Sequence, residues 1–128
     1  MLTRRNVKNG DELSILGFGC MRFPTKGAGI DEPRAIAMIR DSIEKGVNYF
    51  DTAYFYHGGK SESLLGEALS GGYRERVKIA TKLPPFMVKN LEGAKKIFAT
   101  QLTKLKTSYI DYYLLHMLSD KVTFDRMV

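Results

Sequence analysis

Residues 31–51 read DEPRAIAMIRDSIEKGVNYFD, which predicts a helix followed at once by a short strand. Asp31 is suited to cap the helix, and Pro33 is tolerated in its first turn. Gly46 is a typical helix stop, and the run that follows it ends at Asp51. The stretch therefore predicts a helix over about 32–45 and then a strand. Within the helix, three apolar residues recur at helical spacing: Ile36, Ile39 and Ile43.

The same alternation of strand and helix continues on both sides of this stretch. It indicates parallel strands joined by right-handed crossovers, and hence an α/β protein. The further segments are a strand at 16–21, a helix that Ser61 opens, a strand at 77–81, a helix from Asn90 and a strand at 110–115. Residues 119–128 begin another crossover. The predicted buried faces are Leu64, Leu65, Ala68 and Leu69 on the second helix, and Leu91, Ala94, Phe98, Leu102 and Leu105 on the third.

The N-terminal segment predicts a β-hairpin over residues 2–16. Asn9 and Gly10 form the pair that type I′ turns favour, because both central residues of that turn need a positive φ. The second arm of the hairpin runs through Leu13 and Ile15 directly into the first strand of the sheet. A glycine-rich loop at 24–30 then precedes the first helix.

Composition points to one ordinary globular domain. The chain has 128 residues, of which 44% are hydrophobic and 27% charged. Its net charge of +6 favours an anionic ligand. The basic residues are spread along the chain, however, so nucleic-acid binding rests on net charge alone and we expect none.

The cysteine count and the apolar runs bear on the compartment. Cys20 is the only cysteine, which excludes an internal disulfide and an all-cysteine metal site within one chain. We therefore expect no metal site in these residues. No apolar run approaches the ~18 residues of a membrane span, and residues 1–6 lack the apolar core of a signal peptide. The sequence thus predicts a cytoplasmic protein that does not bind membranes.

Ionisable residues follow three successive strands, which decides between an open sheet and a barrel. A dinucleotide-binding sheet shows its glycine fingerprint between the first strand and the first helix, whereas Gly17 and Gly19 lie inside a strand without a third glycine. Asp51, Lys82 and His116 each stand where a strand ends. In a (β/α)8 barrel the carboxyl ends of the strands converge on one rim, so these side chains are expected to share a pocket.

Tyr56, five residues after Asp51, completes a set that suits carbonyl reduction. A phenol has a reference pKa of about 10, and a close ammonium such as that of Lys82 lowers it. Asp51 would hold the ammonium in place, and a ring nitrogen of His116 would orient a substrate carbonyl. The hydride must come from a cofactor, because no side chain donates one.

Each of these residues also has a structural interpretation when it is taken singly. Asp51 can end a strand in an Asx-turn, and Lys82 can be a solvated loop residue. His116 can be a structural histidine, and Tyr56 can serve packing. Their joint placement at successive strand ends favours a site.

Four motifs resemble the N-terminal part of the aldo-keto reductase family. Residues 46–56, GVNYFDTAYFY, look like the G-x-x-x-x-D-T-A-x-x-Y signature, and residues 62–69, ESLLGEAL, look like the E-x-x-L-G-x-A-L helix that follows it. Residues 79–82 match the strand that carries the family's lysine. Residues 102–116 are similar to L-x-x-L-x-x-x-Y-I-D-L-Y-x-x-H. Around residues 19–24 the chain also resembles a branch whose members often append an iron–sulfur domain.

The resemblance implies a (β/α)8 barrel that reduces aldehydes or ketones with NADPH, or with NADH. By matched position, Tyr56 is the proton donor, Lys82 and Asp51 tune it, and His116 orients the carbonyl. The resemblance also implies that Asp51 touches the nicotinamide ribose. The loop after the first strand would border the cofactor through Cys20, Met21 and Arg22.

The length of the chain predicts half of such a barrel. A full barrel takes about 250 residues, so residues 1–128 would form a partial domain in which hairpin 2–16 precedes β/α units 1 to 4. We expect a piece of a longer protein with little or no activity alone, and a homodimer that forms through the two open edge strands. The alternative within the same fold is a cofactor-sensing regulatory subunit. The small carbonyl substrate is not specified by these residues.

Overall fold

The computed structural model describes residues 1–128 and contains eight short strands and four α-helices. The helices are α1 (Glu32–Glu44), α2 (Ser61–Ala68), α3 (Leu91–Leu105) and α4 (Lys121–Met127). The strands are β1 (Thr3–Arg5), β2 (Glu12–Ser14), β3 (Phe18–Gly19), β4 (Thr25–Lys26), β5 (Gly29–Ile30), β6 (Tyr49–Asp51), β7 (Lys78–Leu83) and β8 (Tyr112–Leu115). Three 3₁₀ turns lie at Tyr56–Gly59, Arg74–Arg76 and Pro85–Met87.

A parallel sheet of four strands in the order β3-β6-β7-β8 forms the centre of the molecule. The register aligns Gly19 with Asp51, Asp51 with Ala80, and Lys82 with Leu114. Strands that are consecutive neighbours and run parallel are the arrangement of half of an eight-stranded barrel. The predicted α/β class and the four-stranded half-barrel are confirmed.

Side-chain caps begin α1 and α3, and a glycine follows α1; the sequence predicted the cap at Asp31 and the stop at Gly46. Asp31 accepts a hydrogen bond from the Arg34 amide at 3.3 Å, and Asn90 accepts one from the Gly93 amide at 2.9 Å. Gly46 ends the turn after α1 with a φ of 98°, a conformation that a residue with a Cβ adopts only under strain.

The hydrophobic core lies between the outer face of the sheet and helices α1 to α3. Gly66 of α2 lies against the backbone of α3, where an added Cβ would come within 2.6 Å of the Lys104 carbonyl oxygen. Glycine therefore sets the spacing of these two helices. The largest apolar side chains that are fully buried in the core are Phe50, Ile39, Leu65, Ile79 and Leu105.

The N-terminal hairpin forms, but its turn differs from the prediction. Asn6 donates to the Asp11 carbonyl at 2.8 Å, and the Gly10 amide donates to the Asn6 carbonyl at 2.7 Å. Four residues therefore span the turn, and Gly10 is the one among them with a positive φ, 80°. The type I′ prediction was wrong because side chains stabilise a longer loop: Asn9 Oδ1 accepts from the Asp11 amide at 3.0 Å.

Three other local predictions need correction. The chain bends at residues 15–16, so the hairpin arm and β3 are separate strands. The glycine-rich loop contains a small hairpin of β4 and β5. Leu91 is 69% exposed, because it lies at the outer start of α3.

The hairpin covers the amino ends of the sheet strands, away from the residues that follow their carboxyl ends. Tyr112 opens β8, and its hydroxyl donates to Asp11 at 2.7 Å while it accepts from Asn6 and Asn9. Lys78, the first residue of β7, contacts Asp11 at 3.1 Å. Each helix falls short of the length and apolarity that a bilayer crossing requires.

Candidate active site at the carboxyl ends of the strands

The Lys82 ammonium is the centre of the polar cluster at the rim. Its side chain is 12% exposed. Nζ donates to Asp51 Oδ1 at 2.7 Å, to the Thr52 carbonyl oxygen at 2.7 Å and to the Tyr56 hydroxyl at 3.4 Å. An ammonium has three hydrogens, so each of them has an acceptor.

This arrangement fixes the role of the Tyr56 oxygen. Lys82 can only donate, so the phenol oxygen accepts, and the Tyr56 hydroxyl hydrogen remains free for another acceptor. The ammonium also lies 4.9 Å from the centre of the Tyr56 ring.

Asp51 ends β6 with one carboxylate oxygen bound to Lys82. Its side chain is 36% exposed, and the second oxygen, Oδ2, has no hydrogen-bond partner in the chain. The Asp51 backbone is held as well, because its carbonyl accepts from the Cys20 amide at 2.8 Å. One side of the carboxylate is thus available to a ligand.

His116, the residue after β8, places its ring edge-on to Tyr56. The ring centroids are 5.7 Å apart and the planes meet at 88°. The His116 amide donates to the Leu83 carbonyl at 2.9 Å, which continues the pairing of β7 with β8 past the strand end. Nδ1 is buried without a partner. Burial and then the nearby Lys82 charge lower the pKa of His116, so the ring is neutral at pH 7.

The loop after β3 begins beside Asp51. Cys20 is fully buried, its side chain lies in the hydrophobic core, and burial raises the pKa of its thiol. Met21 and Arg22 follow with exposed side chains. The Cys20 backbone adjoins the cluster, whereas its thiol packs with the core.

Of the residues predicted from the sequence, the structure brings four together: Asp51, Tyr56, Lys82 and His116. The Thr52 carbonyl was not predicted from the sequence, because a backbone acceptor leaves no signal in the residue type. A supporting network of buried polar side chains behind β7 was not predicted either. The sequence does contain a signal for this network, because a polar residue lies on an otherwise apolar helix face.

Gln101 is the clearest member of this network. It is fully buried on α3, and its Nε2 donates to the Lys82 carbonyl at 2.9 Å. Its Oε1 accepts from the Tyr113 hydroxyl at 2.6 Å. Thr81 donates to Glu62, a buried carboxylate that also contacts Lys104 at 3.3 Å. The Lys82 backbone is therefore fixed from the side of α3.

His57 ties the loop after β6 to the loop after β3. It has a φ of 53°, in the left-handed region that is uncommon for residues other than glycine. Nε2 accepts a hydrogen bond from the Phe23 amide at 2.8 Å, and the two rings stack at 5.4 Å. This contact joins the segment that carries Tyr56 to the segment that carries Met21 and Arg22.

The cluster combines a phenol with a free hydroxyl hydrogen, an ammonium beside its oxygen and a neutral imidazole. Such a set can donate a proton to an oxygen on which negative charge develops. A parallel β/α sheet with ionisable residues at the carboxyl ends of its strands is the arrangement found at the active face of (β/α)8 barrels.

Comparison with known proteins gives the family. The family model described as the aldo/keto reductase family matches residues 15–127. This chain therefore belongs to the aldo/keto reductase family.

Two curated relatives have similar sequences. The uncharacterized oxidoreductase YqkF from Bacillus subtilis (strain 168) is 32% identical over 125 residues, a match that covers 90% of this chain and 39% of that protein. Probable aldo-keto reductase 1 from Glycine max is 34% identical over 128 residues, with 93% of this chain and 37% of that protein covered. The chain spans less than half the length of these relatives.

Solved structures agree in fold. An aldo-keto reductase from Klebsiella pneumoniae in complex with NADPH matches with a TM-score of 0.79 and 26% identity, covering 99% of this chain and 45% of that one. The holo form of the aldo-keto reductase AKR11C1 from Bacillus halodurans matches with a TM-score of 0.77 and 29% identity, covering 98% and 45%.

Proposed function

We propose that this chain carries the proton-donating part of an NAD(P)H-dependent carbonyl reductase site, whose substrate is a small aldehyde or ketone. One observation carries the proposal: the Lys82 ammonium contacts Asp51, the Thr52 carbonyl and the Tyr56 hydroxyl at once. This geometry leaves the Tyr56 hydrogen as the one that can be transferred.

Tyr56 is the proton donor in this proposal. When hydride reaches a carbonyl carbon, negative charge develops on the carbonyl oxygen, and the Tyr56 hydroxyl gives its proton to that oxygen. The phenolate that remains lies beside the Lys82 ammonium, which stabilises it until water returns a proton. Asp51 keeps the ammonium in place through the 2.7 Å contact.

His116 orients the carbonyl. A buried N–H without an acceptor costs more than a buried bare nitrogen, so the unpartnered Nδ1 favours the tautomer with hydrogen on Nε2. The His116 ring lies 5.7 Å from the Tyr56 ring, and in this proposal its Nε2–H donates to the carbonyl oxygen that receives the Tyr56 proton.

The residues on the side of β3 fit a nicotinamide nucleotide. The free Oδ2 of Asp51 suits a ribose hydroxyl. An added Cβ at Gly19 would meet nothing within 4 Å, so the end of β3 leaves space beside it. The structural relative from Klebsiella pneumoniae is described as an NADPH complex, which supports the same cofactor here.

Three residues would hold that cofactor: Asp51 through its carboxylate, and Met21 and Arg22 through exposed side chains. Cys20 is fully buried, with its amide bonded to Asp51 and its carbonyl to Ser61, so it would support this loop from within. When bound, a reduced nicotinamide supplies the hydride that the reduction requires. Residues 1–128 form part of one barrel domain in this proposal, with hairpin 2–16 followed by four β/α units.

The first experiment is a titration of the purified chain into NADPH, followed by nicotinamide fluorescence, with NADH as the comparator. We expect saturable binding that is the same for the parent chain and for Tyr56→Phe. With excess protein and 4-nitrobenzaldehyde as the probe, single-turnover NADPH consumption should be at least about 100-fold slower in Tyr56→Phe. Equal rates that both exceed the rate without protein would overturn the role of Tyr56. Absence of NADPH binding up to millimolar protein would overturn the cofactor site in this chain.

A further inference from the structure

The Ser61 hydroxyl is turned away from its own helix. Ser61 is the first residue of α2, where a serine commonly caps the backbone, yet the cap position is Lys60 and no side chain caps this helix. Ser61 is fully buried, and its Oγ lies between two other elements. The sequence predicted a helix-opening role that the hydroxyl does not perform.

Because the Ser61 hydroxyl has one hydrogen, the donor in each of its two hydrogen bonds can be assigned. Ser61 Oγ donates its single hydrogen to the Cys20 carbonyl at 2.7 Å. The 2.9 Å contact with Thr52 Oγ1 must then use the hydrogen of Thr52, with Ser61 as the acceptor. The three residues thus form a fully buried series of hydrogen bonds, in which Thr52 donates to Ser61 and Ser61 donates to Cys20.

A backbone hydrogen bond closes this series of hydrogen bonds into a ring. The Cys20 amide donates to the Asp51 carbonyl at 2.8 Å, and Asp51 directly precedes Thr52. The ends of β3 and β6 are thus joined twice, once by the backbone and once through Ser61. Because α2 supplies the second link, the helix fixes how these strand ends lie side by side.

The same link reaches the Lys82 ammonium through Thr52. The Thr52 amide donates to the Ala80 carbonyl at 2.9 Å, and the Thr52 carbonyl accepts from Lys82 Nζ at 2.7 Å. A rotation of the Thr52 peptide would remove one of the three acceptors around Lys82. The Ser61 hydroxyl opposes that rotation by holding the Thr52 side chain.

We propose that Ser61 is a positioning residue: its hydroxyl holds Thr52 and Cys20 so that the Thr52 carbonyl keeps the Lys82 ammonium against Asp51 and Tyr56. This inference rests on the proposed function, because it assigns Ser61 to the same proton-donating site. In this proposal α2 helps to position the site as well as to pack against the sheet.

The test observes the lysine ammonium directly in the full chain. In ¹⁵N-labelled protein, the Lys82 ammonium signal is identified by its loss in Lys82→Met. In Ser61→Ala and in Thr52→Val, we expect its hydrogens to exchange with water at least about tenfold faster than in the parent chain, because one acceptor is no longer held in place. The titration midpoint of His116 should also move to higher pH, since Lys82 lowers the pKa of that ring.

Two controls separate positioning from general stability. Ser42→Ala removes a serine-to-carbonyl hydrogen bond of the same 2.7 Å length, from Ser42 to Ile39 in α1, and should change neither readout. Thr52→Ser keeps the hydroxyl that Thr52→Val removes, so it should restore the slow exchange. Thr52→Val keeps the branched shape of the side chain and removes only its hydroxyl group, so this variant tests the proposal if Ser61→Ala does not fold.

The inference is overturned if Lys82 exchange and the His116 midpoint in folded Thr52→Val equal those of the parent chain, or if Thr52→Ser behaves as Thr52→Val does. Neither readout needs a cofactor. A chain that fails to bind NADPH but shows these changes would refute the proposed cofactor site and leave the role of Ser61 in place.

Discussion

Three oxygens of the chain surround the Lys82 ammonium in place of bulk water. Two of its contacts, with Asp51 and the Thr52 carbonyl, measure 2.7 Å, the short distance of charge-assisted hydrogen bonds. The third contact, with the Tyr56 hydroxyl, is longer at 3.4 Å. The residue at the centre of the rim is therefore held most firmly by the groups that do not react in the proposed mechanism.

The charge of Lys82 should be measurable at His116. Lys82→Met removes a positive charge that lowers the pKa of His116, so the imidazole titration midpoint should move to higher pH. The measurement is an NMR titration of the ring protons, which is simple because the chain has two histidines. Lys78→Met, at the opposite end of β7, is the control. A midpoint that stays in place in Lys82→Met would contradict the proximity of the two residues.

His116 should also make stability depend on pH. Its folded pKa lies below the ordinary value of 6.5, so the unfolded chain binds the proton more readily. The stabilisation is complete above about pH 6.5 and is lost as the pH falls through the folded pKa. Urea unfolding at pH 7.5 and pH 5.5 should give a smaller pH-dependent loss in His116→Gln than in the parent chain. An equal loss in both would assign the effect to other groups.

At the scale of elements, one glycine controls the approach of α2 to α3. Gly66→Ala would place a Cβ 2.6 Å from the Lys104 carbonyl oxygen and 2.7 Å from the Leu105 carbonyl carbon. Because both neighbours are backbone atoms, the helices must move apart, and we expect a loss of roughly 1–3 kcal/mol in the free energy of unfolding.

The matched control is Gly93→Ala in the first turn of α3, where the nearest atom would lie 3.5 Å away. This change should be neutral or stabilising by up to ~1 kcal/mol, because alanine favours the helix. Chemical denaturation measures both variants. Equal effects of the two substitutions would mean that the close approach at Gly66 relaxes without cost.

The elements that the sequence predicted well are those with local signals. Asp31, Asn90 and Gly46 act within a few residues of their own position, so their patterns were sufficient. The turn at Asn9 and Gly10 was mispredicted because Tyr112, a hundred residues away, and Asp11 favour another loop. Long-range side-chain contacts of this kind have no pattern in the local sequence.

Part of the candidate site was likewise predictable from the sequence, and part of it was not. The strand ends at Asp51, Lys82 and His116 were predictable, since the period of the β/α unit places them on one rim. The contributions of Thr52 and Gln101 depend on backbone direction and on packing between helix and strand, which residue types alone do not specify.

For the whole molecule, the open edges predict self-association. β3 and β8 are the outer strands of a parallel sheet, and Leu114 on β8 is 41% exposed. A two-fold axis along the barrel axis would let β8 of each copy pair with β3 of the other and complete eight strands. We expect a dimer in sedimentation at micromolar concentrations.

A charge on the edge strand should oppose this pairing. Leu114→Lys should shift the chain towards monomer, whereas Val7→Lys, in the exposed hairpin turn, should leave the association unchanged. A parent chain that sediments as a single monomeric species throughout that range would rule out the dimer.

The Lys82 cluster also has a place in the order of folding. Its partners lie 26 to 31 positions away along the chain, so a high contact order governs its assembly, and the loops between the strands must close first. Helices α1 and α3 can nucleate from their own caps on a much shorter timescale. We therefore expect the rim to form after the helices, so that protection of the Lys82 ammonium from exchange during refolding would mark completion of the sheet.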